Sequence, residues 1–341
     1  MKSSDDDLRA APGRLPKYTR RAFLAGTGLL AAGAFGYPLV HRLWQTPQPV
    51  FLARGQRYDG SLVDTIHHGL EAVGFDFAWV RGRRVLLKPN LVEPSRDAPH
   101  MTTHPAVILA AAEVFRRAGA RVGIGEGSAN LRDSELILVE SGLEDLLAAE
   151  KLEFSDLNYG EPRSVPNAGR ASSLKEWLFP RAVLEADLVV SLAKLKTHHW
   201  AGFTASMKNL FGLLPGIVYG WPKNHLHYAG IPQTIVDVAA SAPRSIAIVD
   251  AILCMEGDGP IRGTPKPLGL MAVGQNLTAL DATLARIIGL DPAKVPYLAL
   301  AAGRLGPIAD RDIHQRGQRW QELVARFQVL DLPYLQAMRA S

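Results

Sequence analysis

The sequence predicts an α/β fold: a largely parallel, doubly wound sheet with helices on both faces and its ligand site at the carboxyl edge. Three observations predict it. Short runs of aliphatic and β-branched residues alternate with stretches of helical periodicity, the pattern of βαβ units. Four of those runs end in polar clusters, and open parallel sheets bind ligands in the crevice outside the carboxyl ends of their strands. A chain of 341 residues, 47% hydrophobic and 21% charged, can bury a large core, so residues 51–341 read as one large α/β domain or two closely joined lobes.

In chain order, "HRLWQTPQPV" reads as irregular, with a linker over residues 43–50. The clearest strands are "RRVLLK" (83–88), "ARVGIGE" (120–126), "DLVVSLA" (187–193), "SIAIVDAI" (245–252) and "LGLMAVG" (268–274). "HPAVILAAAEVFRRAG" (104–119) has helical spacing, with Thr103 as N-cap, Pro105 in the first turn and Gly119 closing it. Residues 133–151 and 277–289 are also helical in pattern, and 318–330 places Trp320, Leu323, Val324 and Phe327 on one helical face. "YGEPRSVPNAGRASS" (159–173) reads as loop.

The strand ends carry the chemistry. Lys88 and Asn90 follow the first run, Glu126 and Ser128 the second, Lys194, Lys196, His198 and His199 the third, and Glu256 and Asp258 the fourth. Lys194 and Lys196 alternate with leucine, so a continuing strand would turn both to one side, where they suit a phosphate or carboxylate or else sit as solvated ends. Lys208 and Asn209 arrive beyond a run of small residues; Lys208 would neutralise an anion, act as nucleophile or anchor, or merely cap a helix. "WPKNHLHYAG" adds Lys223 and an H-x-H pair, His225 and His227, which could aim two neutral imidazoles at a metal or form an ordinary bonded pair. Asp250 and Asp281 would need partners if buried. Cys254 is the single cysteine, which excludes a Cys-ligated iron–sulfur cluster and an internal disulfide framework in this chain.

Residues 1–45 carry seven Lys/Arg and three Asp, so the remainder holds only +1 of the net +5, a body without the charge expected of a nucleic-acid binder. Within residues 1–42, "TRRAFLAGTGLLAAGAFGYPLV" resembles a twin-arginine export signal of the T-R-R-x-F-L form. The resemblance implies the twin-arginine machinery as a partner and export to the periplasm or cell surface. Residues 22–40 are either cleaved, with "AGA" as the site, or retained as a membrane anchor.

Through "VLLKPNLVEP", "TTHPAVILAAAEVFRRAGARVGIGEGS", "ADLVVSLAKLKTHHWAGFTASMKNLFGLLPG", "NHLHYAG" and "VDAILCMEGDGPIRGTP", the chain resembles the prokaryotic family named domain of unknown function 362, over about residues 80–290. That resemblance implies an α/β fold and no particular reaction. "HHWAGFTASMKNLFGLLPG" is also similar to a segment of the nickel-pincer lactate racemase family. This second resemblance implies His198 as acid/base, Lys208 as the lysine holding a nickel-pincer nucleotide, and His225 as metal ligand, with Glu126 in place of that family's second acid/base histidine.

Together these readings lead to an exported enzyme that depends on a cofactor or divalent metal and acts on a small anionic substrate. Lys88, Asn90, Lys194, Lys196, Lys208 and Asn209 would bind the anion or cofactor, His198, Lys208 and Glu126 would act, and His225 with His227 would hold metal. Relocation of a proton or hydride beside a carboxylate, in the manner of an isomerase or oxidoreductase, fits such a set because cations stabilise the charge that develops there. An exported protein that binds an acidic or phosphorylated small molecule without transforming it is the alternative.

Overall fold

Leu188, Val190 and Leu192 enter one core while Val189, Ala193 and Leu195 enter another, the two-residue period of an extended chain buried on both sides. In the computed structural model, which describes residues 47–93, 96–130 and 132–340, this strand is the centre of the sheet. The strands are β1 (Gln48–Arg54), β2 (Arg84–Pro89), β3 (Arg121–Glu126), β4 (Glu153–Asp156), β5 (Pro162–Pro166), β6 (Glu176–Pro180), β7 (Leu188–His198), β8 (Gly202–Thr204), β9 (Ser245–Glu256), β10 (Thr264–Gly274) and β11 (Ile313–Gly317).

Among the described residues, nine strands form one sheet in the order β11-β1-β10-β9-β7-β2-β3-β4, with β8 folded back on β7. The run β9-β7-β2-β3-β4 is parallel, whereas β10 joins β9 and β1 joins β10 in antiparallel fashion. Helices Leu62–Ala72 and Pro105–Arg117 bury Ile66, Leu70, Val107, Ile108, Ala111 and Phe115 on one face. Helices Ile231–Ser241 and Leu277–Ile287 bury Ile235, Val238, Leu280 and Leu284 on the other. This is the α/β architecture with helices on both faces. Among the described residues, no helix is long and apolar enough to cross a membrane.

Several local expectations are corrected. Strand β1 begins at Gln48, inside the segment read as linker, and residues 159–173 contain β5, which pairs with β6. The helix at 105 is capped by His104, whose side chain accepts from Ala106 N, because the Thr103 hydroxyl is engaged elsewhere: it donates to Leu192 O (2.6 Å) and accepts from Asn90 N (2.9 Å). Residues 133–151 form two helices, Ser134–Ser141 and Glu144–Ala149, separated where Gly142 adopts φ 71°. Residues 318–330 contain only a short 3-10 turn, Trp320–Leu323. Beyond it, Ala325 N and Phe327 N donate to Ile287 O and Ile288 O, so this segment satisfies carbonyls at the end of helix Leu277–Ile287 instead of coiling itself. The twin-arginine segment and residues 22–40 lie outside the described residues.

Candidate functional site

The ends of β2 and β3 meet in a buried ion pair. Lys88 Nζ donates to Glu126 Oε2 (2.8 Å), Pro89 O (2.6 Å) and Asn209 Oδ1 (3.1 Å). Burial pushes Lys88 below its ordinary range, and Glu126 draws it back up. Leu91 N also donates to Glu126 Oε2, at 2.9 Å. An ammonium has only donors, so Asn209 must face Lys88 with its oxygen, and its Nδ2 serves Lys88 O and Ser191 Oγ. Asn90 in turn offers Nδ2 to Asn209 Oδ1 (3.1 Å), which leaves Asn90 Oδ1 buried without a hydrogen-bond partner among the described residues.

The two lysines of β7 part company. Lys194 lies opposite Asp250 on β9, and the register shifts before Lys196 comes opposite Met255. Lys194 Nζ is 2.9 Å from Asp250 Oδ2 and 3.0 Å from Tyr58 OH, fully buried and off the cavity lining. The expectation that Lys194 serves the ligand therefore gives way to a structural ion pair, in which Asp250 also accepts from Tyr58 OH, His104 N and Ile252 N. Lys196 does line the cavity; its Nζ donates to Met101 O at 2.7 Å. Burial, reinforced by Lys194 and Lys208, holds it well below the usual lysine range.

At the end of β7 the His198 ring accepts from Trp200 N (3.1 Å) and Ala201 N (3.3 Å) through Nδ1. Its hydrogen is thereby assigned to Nε2, and a second proton on Nδ1 would face two N–H groups. Burial and the neighbouring Lys208 accordingly push His198 well below its ordinary range. The next residue, His199, has Nδ1 3.7 Å from Asp258 Oδ1, and its carbonyl accepts from Tyr334 OH at 2.5 Å. Glu256, the other acid of that loop, pairs with Lys266 (3.3 Å) and accepts from Gln328 N away from the cavity lining.

Lys208 and Asn209 are delivered by the single helical turn Ser206–Asn209. Asp281, from helix Leu277–Ile287, accepts from Ser206 N (2.8 Å), Ser206 Oγ (2.5 Å), Met207 N (3.1 Å) and Tyr297 OH (3.0 Å). These bonds serve a carboxyl that burial pushes up to about 6, so Asp281 acts on the structure of the turn. Lys208 Nζ lies 4.3 Å from the Phe211 ring centroid, and burial, then Lys88, pushes it down to about 8.

The H-x-H pair lies on a helix, Asn224–Tyr228, where residues two apart face different directions. His227 lines the cavity, pushed down to about 4 by burial and Lys208; His225 is exposed and lies off the lining. Among the described residues, no group of three His, Cys, Asp or Glu is placed to hold a metal ion. Lys208 thus lines the cavity, whereas His225, expected as a metal ligand, lies off it, and among the described residues the donor set does not fit the nickel group. Lys223 has no role that the sequence alone assigns. It adopts φ 69° and donates Nζ to Asn158 Oδ1 (2.9 Å) and Leu214 O, and burial pushes it down to about 7.

Lys88, Lys196, Lys208 and Lys223 thus converge with His198 and His227 on one cavity of about 190 Å³, in which Glu126 is the lone lining carboxylate among the described residues. Phe211 and Asn158, which hold Lys208 and Lys223, lie outside the strand-end clusters and carry no local signal that marks them.

Comparison with known proteins bears on this constellation. The thylakoid-associated protein sll1697 of Synechocystis sp. is 33% identical over 264 residues, covering 75% of this chain and 79% of that protein. The lactate racemase apoprotein of Thermoanaerobacterium thermosaccharolyticum is a structural neighbour with a TM-score of 0.42 and 15% identity, covering 70% of this chain; this chain spans 56% of its length. Residues 85–286 match the family described as Domain of unknown function (DUF362), a span that holds every cavity lysine. The chain is a member of the DUF362 family.

Proposed function

We propose that the cavity is the active site of an enzyme acting on a small anionic substrate that bears a carboxylate or phosphate. The observation that carries this reading is the convergence of four lysines on a small cavity with a single lining carboxylate among the described residues, itself paired to Lys88. Ammonium groups taken out of water are costly unless an anion meets them, and among the described residues Lys196 Nζ meets a single acceptor, Met101 O. His198 takes the role of a hydrogen-bond donor through Nε2 rather than that of a base. The residues do not present the metal ligand implied for a nickel-pincer nucleotide, and no step is assigned to a metal.

Calorimetric titration of the purified full chain with oxalate and phosphate tests the site. Binding is expected, weakened roughly tenfold or more by Lys196→Gln. No binding by the native chain would remove the reading. Proton NMR in D2O on a panel of 2-oxo and 2-hydroxy acids tests turnover. Exchange beside the carboxylate supports an enzyme, and anion binding with no exchange or other conversion favours a non-catalytic binding protein. Export through the twin-arginine route is part of the proposal, supported by Arg20 and Arg21 before an uncharged segment. Replacing both with lysine should retain the protein in the cytoplasmic fraction, and unchanged fractionation would remove that part.

A further inference from the structure

The cavity lysines differ in what holds them. Lys88 has Glu126, Pro89 O and Asn209; Lys196 has Met101 O; Lys223 has Asn158 and Leu214 O. Among the described residues, Lys208 Nζ has no hydrogen bond or ion pair and rests only against the face of Phe211. It is half-buried at the cavity wall, and Lys88 nearby opposes its protonation. An amine so placed gives up its proton more readily than a solvated lysine, and its neutral form has no protein partner competing for the lone pair among the described residues. His198 lines the same cavity with a hydrogen on Nε2, able to polarise a carbonyl oxygen, and Lys196 offers unmatched donors for a carboxylate.

Resting on the anion-site reading above, we propose that Lys208 is a catalytic nucleophile that condenses with the carbonyl carbon of a small 2-oxo acid to form an imine. Carboxylate and carbonyl are adjacent in such an acid, which suits a cavity of about 190 Å³. The Nζ lone pair forms the C–N bond as the carbonyl π pair moves to oxygen, and a proton passes from nitrogen to that oxygen. The carbinolamine then loses its oxygen as water, which takes the second Nζ proton and leaves C=N. No oxidant or reductant is consumed. Once protonated, the imine draws electrons from the adjacent carbon and acidifies its C–H bonds.

The test treats the full chain with pyruvate and cyanoborohydride, with acetone as the uncharged carbonyl control and oxalate as competitor. One adduct is expected, heavier by the mass of pyruvic acid less one oxygen, on the peptide containing Lys208. Oxalate should block it, and acetone should label at least roughly tenfold more slowly. Lys208→Arg should lose the adduct. Because oxalate competition is read on the native chain, it needs no variant to fold. If oxalate binds while Lys208 remains unmodified, or labels no faster than surface lysines, the imine is overturned and the anion site stands. If oxalate does not bind, both fall.

Discussion

Gly212 lies against the Glu126 carboxylate so closely that a Cβ on it would stand 2.1 Å from Oε1 and 2.4 Å from Lys88 Nζ. The absence of a side chain there lets the chain after Lys208 close over the buried pair. Gly212→Ala must therefore move one of the two charged groups. We expect a loss of about 1–3 kcal/mol in urea denaturation, with weaker oxalate binding by calorimetry. A variant as stable as the native chain and with native affinity would mean that this contact is slack.

Lys194 and Lys196 provide a paired comparison. Lys194→Met leaves Asp250 buried without its cation and should lower stability by about 3–5 kcal/mol, while the folded fraction keeps its anion affinity. Lys196→Gln should do the reverse, with a modest change in melting temperature and a large loss of affinity. Adding Asp250→Leu to Lys194→Met should recover only part of the stability, because His104 N and Ile252 N also lose their acceptor.

Lys223 should make stability rise with pH. Its folded value is about 7 against an ordinary 10.5, so between these limits the unfolded chain binds more proton than the folded one and unfolding becomes harder as pH rises. Below about pH 7 the penalty is fully present, and it is relieved as pH climbs toward 10.5. Chemical denaturation at several pH values should show the native chain gaining on Lys223→Met across this window. A flat difference would place the amine in water.

Anion binding should fall with alkalinity for a different reason. Lys208 loses its charge around pH 8, whereas oxalate stays a dianion throughout the range. Affinity should therefore decline from pH 7 to 9, and Lys208→Met should flatten the profile as well as lower it.

Asp281→Asn tests the turn that carries Lys208. Of the four donors on Asp281, an amide can accept from some but must present its own N–H groups to the rest. A loss of about 1–3 kcal/mol is expected, and the pyruvate-labelling rate of Lys208 should fall with it. Unchanged labelling in a folded variant would show that the cap does not position the lysine.

Much of this arrangement was legible because an apolar run that ends in charge marks the mouth of a parallel sheet. Lys88, Glu126, Lys196 and His198 all follow that rule and all reach the cavity. Lys194 obeys the same local pattern and yet turns to Asp250, since its partner is chosen by a register shift against β9 that no alternation records. The H-x-H pair was misleading for a related reason: five residues between Lys223 and Ala229 suffice for a helix, which parts rings that a strand would have aligned. Lys223 and Asn158 come from irregular segments whose meeting depends on how β4 ends and where residues 214–216 pass. Strand β1 and the edge strand β11 are not legible in the sequence because they pair with each other across most of the chain, a contact that no local pattern records.

The hydroxyl that Tyr334 sends to the His199 carbonyl ties the histidine turn to the last stretch of the chain, where Met338 Sδ also crowds Gly202 and Ala340 N reaches Gly289 O. The tail is thus a buttress behind the cavity mouth. An affinity tag appended at this end would press on that buttress and weaken the oxalate binding expected of the cavity it supports.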